Sequence, residues 1–163
     1  MIPKPLVGGL AAVAAIGFAI LVVLSEMRLG YGEGLLDGRM GGYDVQAVRD
    51  YLTVLPPDAL TFYLGTFRVM DTVIPPLIAL ALAAVIWSSS GRILRVLVLL
   101  PVLYVGCDLY ENALVARVLA AGIDGLNAAD VAAASQMTMA KWAFTLASLA
   151  AAILTWRKTR GAS

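Results

Sequence analysis

Apolar stretches of membrane length constrain the fold of this chain more than any other feature. Residues 6–24 contain no charged side chain, and three further long apolar stretches follow. A membrane-spanning helix needs about 20 predominantly apolar residues. Hydrophobic residues make up 61% of the 163-residue chain and charged residues 14%, whereas soluble domains carry about 25% charged residues. The sequence therefore predicts an all-helical, polytopic membrane protein.

The apolar stretches predict four transmembrane helices in a single domain covering residues 1–163. The expected spans are about 6–27, 58–87, 92–121 and 128–156, arranged as an up-and-down four-helix bundle. Asp58 and Asn127 are suitable residues to cap the second and fourth helices. Pro75 and Pro76 fall inside the second span, where each frees a backbone carbonyl that a neighbouring helix must satisfy.

One long connection, between the first two spans, contains two different pieces. Six glycines lie between residues 30 and 42, without the spacing of a Walker or dinucleotide motif, which predicts a mobile loop. Residues 44–55 follow, with Asp44 as a cap and an apolar stripe at helical spacing that consists of Val45, Val48, Leu52 and Leu55. This pattern predicts a short amphipathic helix lying on the outer membrane surface.

Basic residues predict how the chain is oriented. Lys4 precedes the first span, Arg92 and Arg95 follow the second, and three basic residues at 157–160 follow the fourth. The other two connections contain more acids than bases. The positive-inside rule then places both termini in the cytoplasm, and we expect a multi-pass protein of the cell inner (plasma) membrane.

Composition excludes several functional classes. The formal net charge is +1 and no basic patch is present, so no nucleic-acid partner is expected. Cys107 is the single cysteine and there is no histidine, which removes disulfide frameworks, Cys/His metal sites and Ser-His chemistry. No metal and no cofactor are expected. A hard cation held by carboxylates is disfavoured because basic residues lie at the same predicted depth.

Ionisable residues inside the predicted spans are the unusual feature of this sequence. At a rise of about 1.5 Å per residue they reach a similar depth on three different helices. Their spacings of three and four residues place them on one face of each helix. We expect a shared, inward-facing polar site built from Arg68, Asp71, Asp108, Glu111, Asn112, Thr138, Lys141 and Thr145.

A charge in the centre of a membrane helix costs at least about 2.5–3.5 kcal/mol, so these groups are expected to pair. Arg68 and Lys141 can pair with the three acids, which leaves one excess negative charge. Two interpretations stay open. The cluster is either a functional site facing the outer leaflet or a fully paired polar network that fixes the register of the helices.

The functional interpretation has several forms. The first is a protein that binds a lipid-like ligand, or an accessory subunit of a larger membrane complex, with Arg68, Lys141, Asn112, Thr138 and Thr145 as binding residues. The second is a membrane enzyme that uses Asp71, Asp108 and Glu111 for acid–base chemistry on a lipid-like substrate. The third is a small proton or ion transporter. Expected partners are membrane lipids, and other membrane subunits or further copies of the chain.

Three short patterns carry a family resemblance. They are Tyr43-Asp44-x3-Val48-x2-Tyr51-Leu52, Arg68-x2-Asp71-x3-Pro75 and Asp108-x2-Glu111-Asn112. Together they resemble a group of small uncharacterised bacterial four-helix integral membrane proteins. The resemblance covers most of the chain and implies a four-helix membrane fold. It implies no function and no residue roles.

Overall fold

The computed structural model describes residues 2–89, 91 and 94–160, and in these residues the chain forms helices joined by loops. The predicted start of the third span at residue 92 lies outside the described residues. The α-helices are α1 (Lys4–Leu29), α2 (Val45–Val54), α3 (Pro57–Phe62), α4 (Arg68–Ser89), α5 (Leu99–Ala121) and α6 (Ala128–Arg160). A π-helical turn, Tyr63–Phe67, joins α3 to α4, so that Pro57–Ser89 forms one continuous helix.

Three of the described helices are long and apolar enough to cross a membrane, namely Lys4–Leu29, Pro57–Ser89 and Ala128–Lys158. The prediction of an all-helical protein with membrane-spanning helices is thereby confirmed. Helix α5, which corresponds to the third predicted span, is not one of these three. It has 23 residues and carries Asp108, Glu111 and Arg117, so its passage through the membrane stays a prediction.

Prolines lie at the start of two helices. Pro56 rather than the predicted Asp58 occupies the N-cap of α3, with Pro57 in its first turn, because a proline at the first helical position has no amide that needs a partner. The described part of the third predicted span includes a 3₁₀ turn, Leu94–Val98, before α5. Pro101 lies in the first turn of α5, where its ring is incompatible with an α-helical bond back to Leu97. In contrast, the predicted caps Asp44 and Asn127 are confirmed, since their side chains accept hydrogen bonds from the backbone amides of Ala47 and Ala129.

Helices α5 and α6 form a closely packed hairpin, and α4 packs against both of them and against α1. Helix α1 approaches α4 at Gly17, where an added Cβ atom would lie 3.1 Å from Cγ2 of Ile74. The main core forms where α3, α5, α6 and the long connection meet, and contains Phe67, Val115 and Leu119. A smaller core at the other end of the molecule contains Leu82 and Ile86.

The long connection packs onto the helices. The helix predicted over residues 44–55 is present as α2, Val45–Val54, and its position at a membrane surface stays a prediction. Val48 and Tyr51 of α2 are fully buried in the main core, so the apolar face expected on the membrane surface covers the protein instead. The glycine-rich segment is also held in place. Leu36 is fully buried, and the backbone amide of Tyr43 donates to Ser135 Oγ at 2.8 Å. Gly42 allows this approach, because it has φ +81° and an added Cβ atom would lie 2.7 Å from that oxygen.

Candidate functional site

Lys141 on α6 is the centre of a buried charged cluster. Its Nζ atom lies 2.5 Å from Glu111 Oε2, 3.6 Å from Asp108 Oδ1 and 3.9 Å from Asp37 Oδ2. The side chains of Lys141, Glu111 and Asp108 are each at least nine-tenths buried. Three carboxylates from two separate parts of the chain therefore share one ammonium group.

Hydroxyl and amide groups on α5 and α6 extend the cluster. Thr138 donates a hydrogen bond of 2.5 Å to Glu111 Oε1, and the Asn112 side-chain amide donates to the backbone carbonyl of Asp71 at 3.1 Å. Pro75 has no amide with which to bond that carbonyl four residues earlier. Asn112 thus confirms, for this carbonyl, the expectation that a neighbouring helix satisfies it.

Arg68 does not join the cluster, which corrects its predicted place there. It is exposed and borders a shallow surface depression with Leu64 and Val69. The buried residues of this continuous helix follow a spacing of four, through Ala59, Tyr63, Phe67, Asp71 and Pro75. Arg68 directly follows Phe67, and one residue turns an α-helix by about 100°, so its side chain points away from this row.

Asp37 is a member of the cluster that the sequence analysis did not predict. It lies in a 3₁₀ turn, Leu36–Gly38, within the glycine-rich segment. The indole N–H of Trp142 donates to the backbone carbonyl of Asp37 at 2.9 Å. The adjacent apolar pair Leu35 and Leu36, both buried, is the sequence signal that this segment packs against the helices and brings its acid with it.

Tyr43, at the end of the same segment, also lies near the cluster. Burial raises the pKa of its phenol well above the ordinary value. The phenol therefore stays uncharged at neutral pH and adds no negative charge to the carboxylates around Lys141.

A cavity of about 200 Å³ borders the cluster. Its walls are mainly apolar, and its charged side chains include Lys141 with its ion-pair partners Asp37 and Asp108. Phe18 and Val22 of α1 line this cavity and are nevertheless 48% and 44% exposed, so the cavity opens to the protein surface beside α1. The other lining residues are Leu21, Ser25, Glu26, Asp37, Gly38, Phe67, Asp71, Pro75, Ile78, Tyr104, Asp108, Lys141, Trp142 and Thr145.

The predicted site residues divide into two groups around this cavity. Asp71, Asp108, Lys141 and Thr145 line it. Glu111, Asn112 and Thr138 are buried behind Lys141 and Asp108 and are not part of the lining. Thr145 donates to the backbone carbonyl of Lys141 at 2.7 Å. The structure thus brings together all the predicted residues except Arg68, and it separates those that can touch a ligand from those that support them.

The charges in this site differ from the expected pairing. With Asp37 present and Arg68 absent, the carboxyl groups of Asp37, Asp108 and Glu111 lie within 4.0 Å of Lys141 Nζ. The carboxyl group of Asp71 lines the same cavity. Four ionised carboxylates beside one ammonium are unfavourable in a medium of low dielectric constant. Among the described residues, no group of three or more potential ligands has the geometry of a metal site. The excess of carboxyl groups therefore calls for protonation or for a further positive charge.

Comparison with known proteins adds no further information, since no family model, no curated protein and no solved structure matches this chain. The function has to be argued from the geometry of the site.

Proposed function

We propose that this protein is an integral membrane protein that binds an amphipathic, lipid-like ligand in the cavity beside Lys141. The observation that carries the proposal is the combination of an apolar wall, a buried charged end and an opening beside α1. A ligand pocket typically combines mostly apolar walls with a few placed polar groups. The volume suits a head group and part of an alkyl chain, and the rest of the chain extends into the bilayer between α1 and α6.

The position of the cavity supports entry from the lipid phase. Phe18 and Val22 of α1, which line the cavity, are exposed, and Trp142 and Thr145 of α6 also line it. Helices α1 and α6 each pack against α4. Most apolar side chains of α1, for example Leu6, Val13 and Ile16, are exposed, which is the pattern of a helix surrounded by lipid or by a partner. A lipid-like molecule can thus reach the charged end without leaving the apolar medium.

Native mass spectrometry of protein extracted in lipid-polymer discs from its own membrane tests the proposal. Ser25→Phe places a large ring in the cavity, and Val23→Phe makes a comparable change on the exposed face of the same helix. We expect a co-purifying small molecule with the natural chain and with Val23→Phe, and its loss with Ser25→Phe. Absence of a bound molecule from the natural chain, or equal retention by both variants, would contradict the proposal.

The same experiment addresses the accessory-subunit hypothesis, which rests on a different observation. Only 11% of the apolar window of α1 is buried inside the chain. A partner helix can cover such a face as well as lipid can. A protein that co-purifies at fixed stoichiometry, and is lost in Val23→Phe but kept in Ser25→Phe, would favour the subunit hypothesis over the ligand site.

A membrane enzyme is the second candidate, because Asp71 and Asp108, two of the three predicted acid–base residues, are among the carboxyl groups that line the cavity. Glu111 becomes a weaker acid–base candidate, since it is fully buried behind Lys141. The enzyme hypothesis predicts that Asp108→Asn keeps the bound molecule but prevents its conversion. Under the binding hypothesis, the same molecule is recovered unchanged from both proteins.

The proposal includes four membrane spans with both termini in the cytoplasm of a plasma membrane. Helix α5 packs against both α4 and α6, and its 23 residues extend for about 35 Å at the standard rise. With Cys107 replaced by alanine, Asp124→Cys should react with a membrane-impermeant maleimide on intact cells. Gly91→Cys should react only after permeabilisation. The reverse pattern would refute this orientation.

A further inference from the structure

The charged end of the cavity contains more carboxyl groups than its cation can neutralise. Glu26, Asp37, Asp71 and Asp108 all line the cavity, whereas Lys141 is the only basic residue in the lining. The ammonium of Lys141 is already engaged by Glu111, Asp108 and Asp37. An anionic head group would therefore meet a surface of like charge, and like charges across an interface are strongly unfavourable.

Asp71 is the carboxyl group that this arrangement leaves for a ligand. It is 7% exposed, and it lines the cavity. Within the described part of the chain, its carboxylate has no hydrogen bond and no ion pair, although its backbone carbonyl accepts from Asn112. A buried charge without a partner is costly, so a positive group placed in the cavity would gain a charge-assisted contact there.

The surroundings of Asp71 suit an organic cation. Phe67 and Tyr104 both line the cavity, and aromatic faces attract ammonium groups. Apolar side chains, among them Leu21, Val22 and Ile78, also line the cavity and suit the carbon chain that such a cation carries. Among the described residues no metal-ligand geometry is present, which favours an alkylammonium over a metal ion.

We propose, on the basis of the ligand site described above, that the head group of the ligand is a cationic amine and that Asp71 is its counter-ion. The protein then discriminates amphiphiles by the charge of their head group. Amines are bound, and carboxylates or sulfates of the same chain length are rejected.

Trp142 provides the probe for a test, because it lines the cavity. In protein that carries Trp87→Phe and Trp156→Phe, its fluorescence is titrated with three dodecyl amphiphiles brominated at the chain end. These are a primary amine, an alcohol and a carboxylate, each at known mole fraction in neutral detergent micelles. Asp71→Asn is compared with Asp58→Asn, the same chemical change at an exposed position of the same continuous helix.

We expect saturable quenching by the amine, weakened about tenfold or more by Asp71→Asn, as loss of a charge-assisted contact predicts. Asp58→Asn should leave the titration unchanged. Equal affinity for the carboxylate or the alcohol would overturn the amine proposal and leave the ligand site intact. Absence of saturable quenching by any of the three would overturn the ligand site itself. The titrations of the protein with natural Asp71 decide between these outcomes even if Asp71→Asn unfolds.

Discussion

The helix α1 and the hairpin α5–α6 face the same cavity, but they contribute to it in opposite ways. Residues 6–24 of α1 carry no charge, and α1 buries little more than Ala14, Leu21 and Leu29. The hairpin buries Asp108, Glu111, Asn112, Thr138 and Lys141. Apart from Ser25 and Glu26, the side chains that α1 contributes to the cavity are apolar, whereas the hairpin contributes a charged, hydrogen-bonded wall.

This contrast teaches which interactions position each helix. Lipid chains are as apolar as leucine, so the hydrophobic effect does not pull α1 towards its neighbours within a bilayer. Close packing, as at Gly17 and Ile74, and contacts at its ends have to hold it. The hairpin is fixed by groups that have no good alternative partner in lipid, and its register is therefore strongly specified.

The largest expected effect comes from removing the cation of the hairpin. Lys141→Met keeps the length of the side chain but leaves Glu111, Asp108 and Asp37 without their shared partner. Breaking a buried ion pair costs about 3–5 kcal/mol, and we expect a loss of that size in the free energy of unfolding. Unfolding in mixed micelles with increasing dodecyl sulfate, followed by circular dichroism, measures it.

Two further variants make this test specific. Lys158→Met removes a charge from the exposed end of the same helix and should not change the unfolding curve. Adding Glu111→Gln to Lys141→Met should recover part of the loss, because one buried carboxylate is then removed as well. The loss in the free energy of unfolding is also measured for Glu111→Gln alone. If the loss in the double variant equals the sum of the losses in the two single variants, direct coupling of Lys141 to Glu111 is contradicted.

A smaller effect is expected from the amide that joins α5 to α4. Asn112→Leu leaves the carbonyl of Asp71 buried without a donor, which costs about 1–3 kcal/mol. Pro75→Ala restores a backbone amide four residues after that carbonyl. In the Pro75→Ala background, Asn112→Leu should therefore cost less, as measured by the same unfolding assay. An equal cost in both backgrounds would show that Asn112 acts through some other contact.

Much of the hairpin was predictable from sequence, because its polar residues obey helical spacing. Asp108 and Glu111, three residues apart, and Thr138 and Lys141, also three apart, do meet in the structure. The cost of burying such groups in a bilayer makes an inward orientation the expected one. The same reasoning predicted that a neighbouring helix satisfies the carbonyl freed by Pro75, but it did not identify Asn112 as the donor.

The parts that were missed depend on contacts that spacing alone does not reveal. Arg68 lies three residues before Asp71, a spacing that predicts a shared helix face. Its side chain is nevertheless exposed, because Phe67 rather than Arg68 belongs to the buried row of this helix. Asp37 lies in a segment whose glycines indicate mobility, whereas the buried Leu36 and the Trp142 indole hold it against the helices. Where a loop packs is a tertiary property, and sequence periodicity contains little information about it.

A modest effect is expected where the long connection holds the end of α1. The Tyr51 hydroxyl donates to the carbonyl of Leu29 at 3.0 Å, in a fully buried position. Tyr51→Phe removes this bond and should cost about 1 kcal/mol. Tyr110→Phe, on an exposed face of α5, serves as the control and should have no effect. Faster hydrogen exchange at residues 26–29 in Tyr51→Phe alone would show that the bond holds α1; unchanged exchange would show that it does not.

The smallest effect is expected on the outer face of α1, and it separates lipid contact from core packing. Ile16 is 61% exposed, whereas Ile86 on α4 is fully buried. Ile86→Ala opens a void that its neighbours fill only in part, at a cost of about 2 kcal/mol or more. Lipid chains fill the space left by Ile16→Ala, so its effect on unfolding should stay within about 0.5 kcal/mol. Unfolding measured in bilayer discs tests this pair. A loss at Ile16 equal to that at Ile86 would mean that another protein surface covers α1, and the wall of the cavity on that side would then belong to an assembly rather than to the lipid.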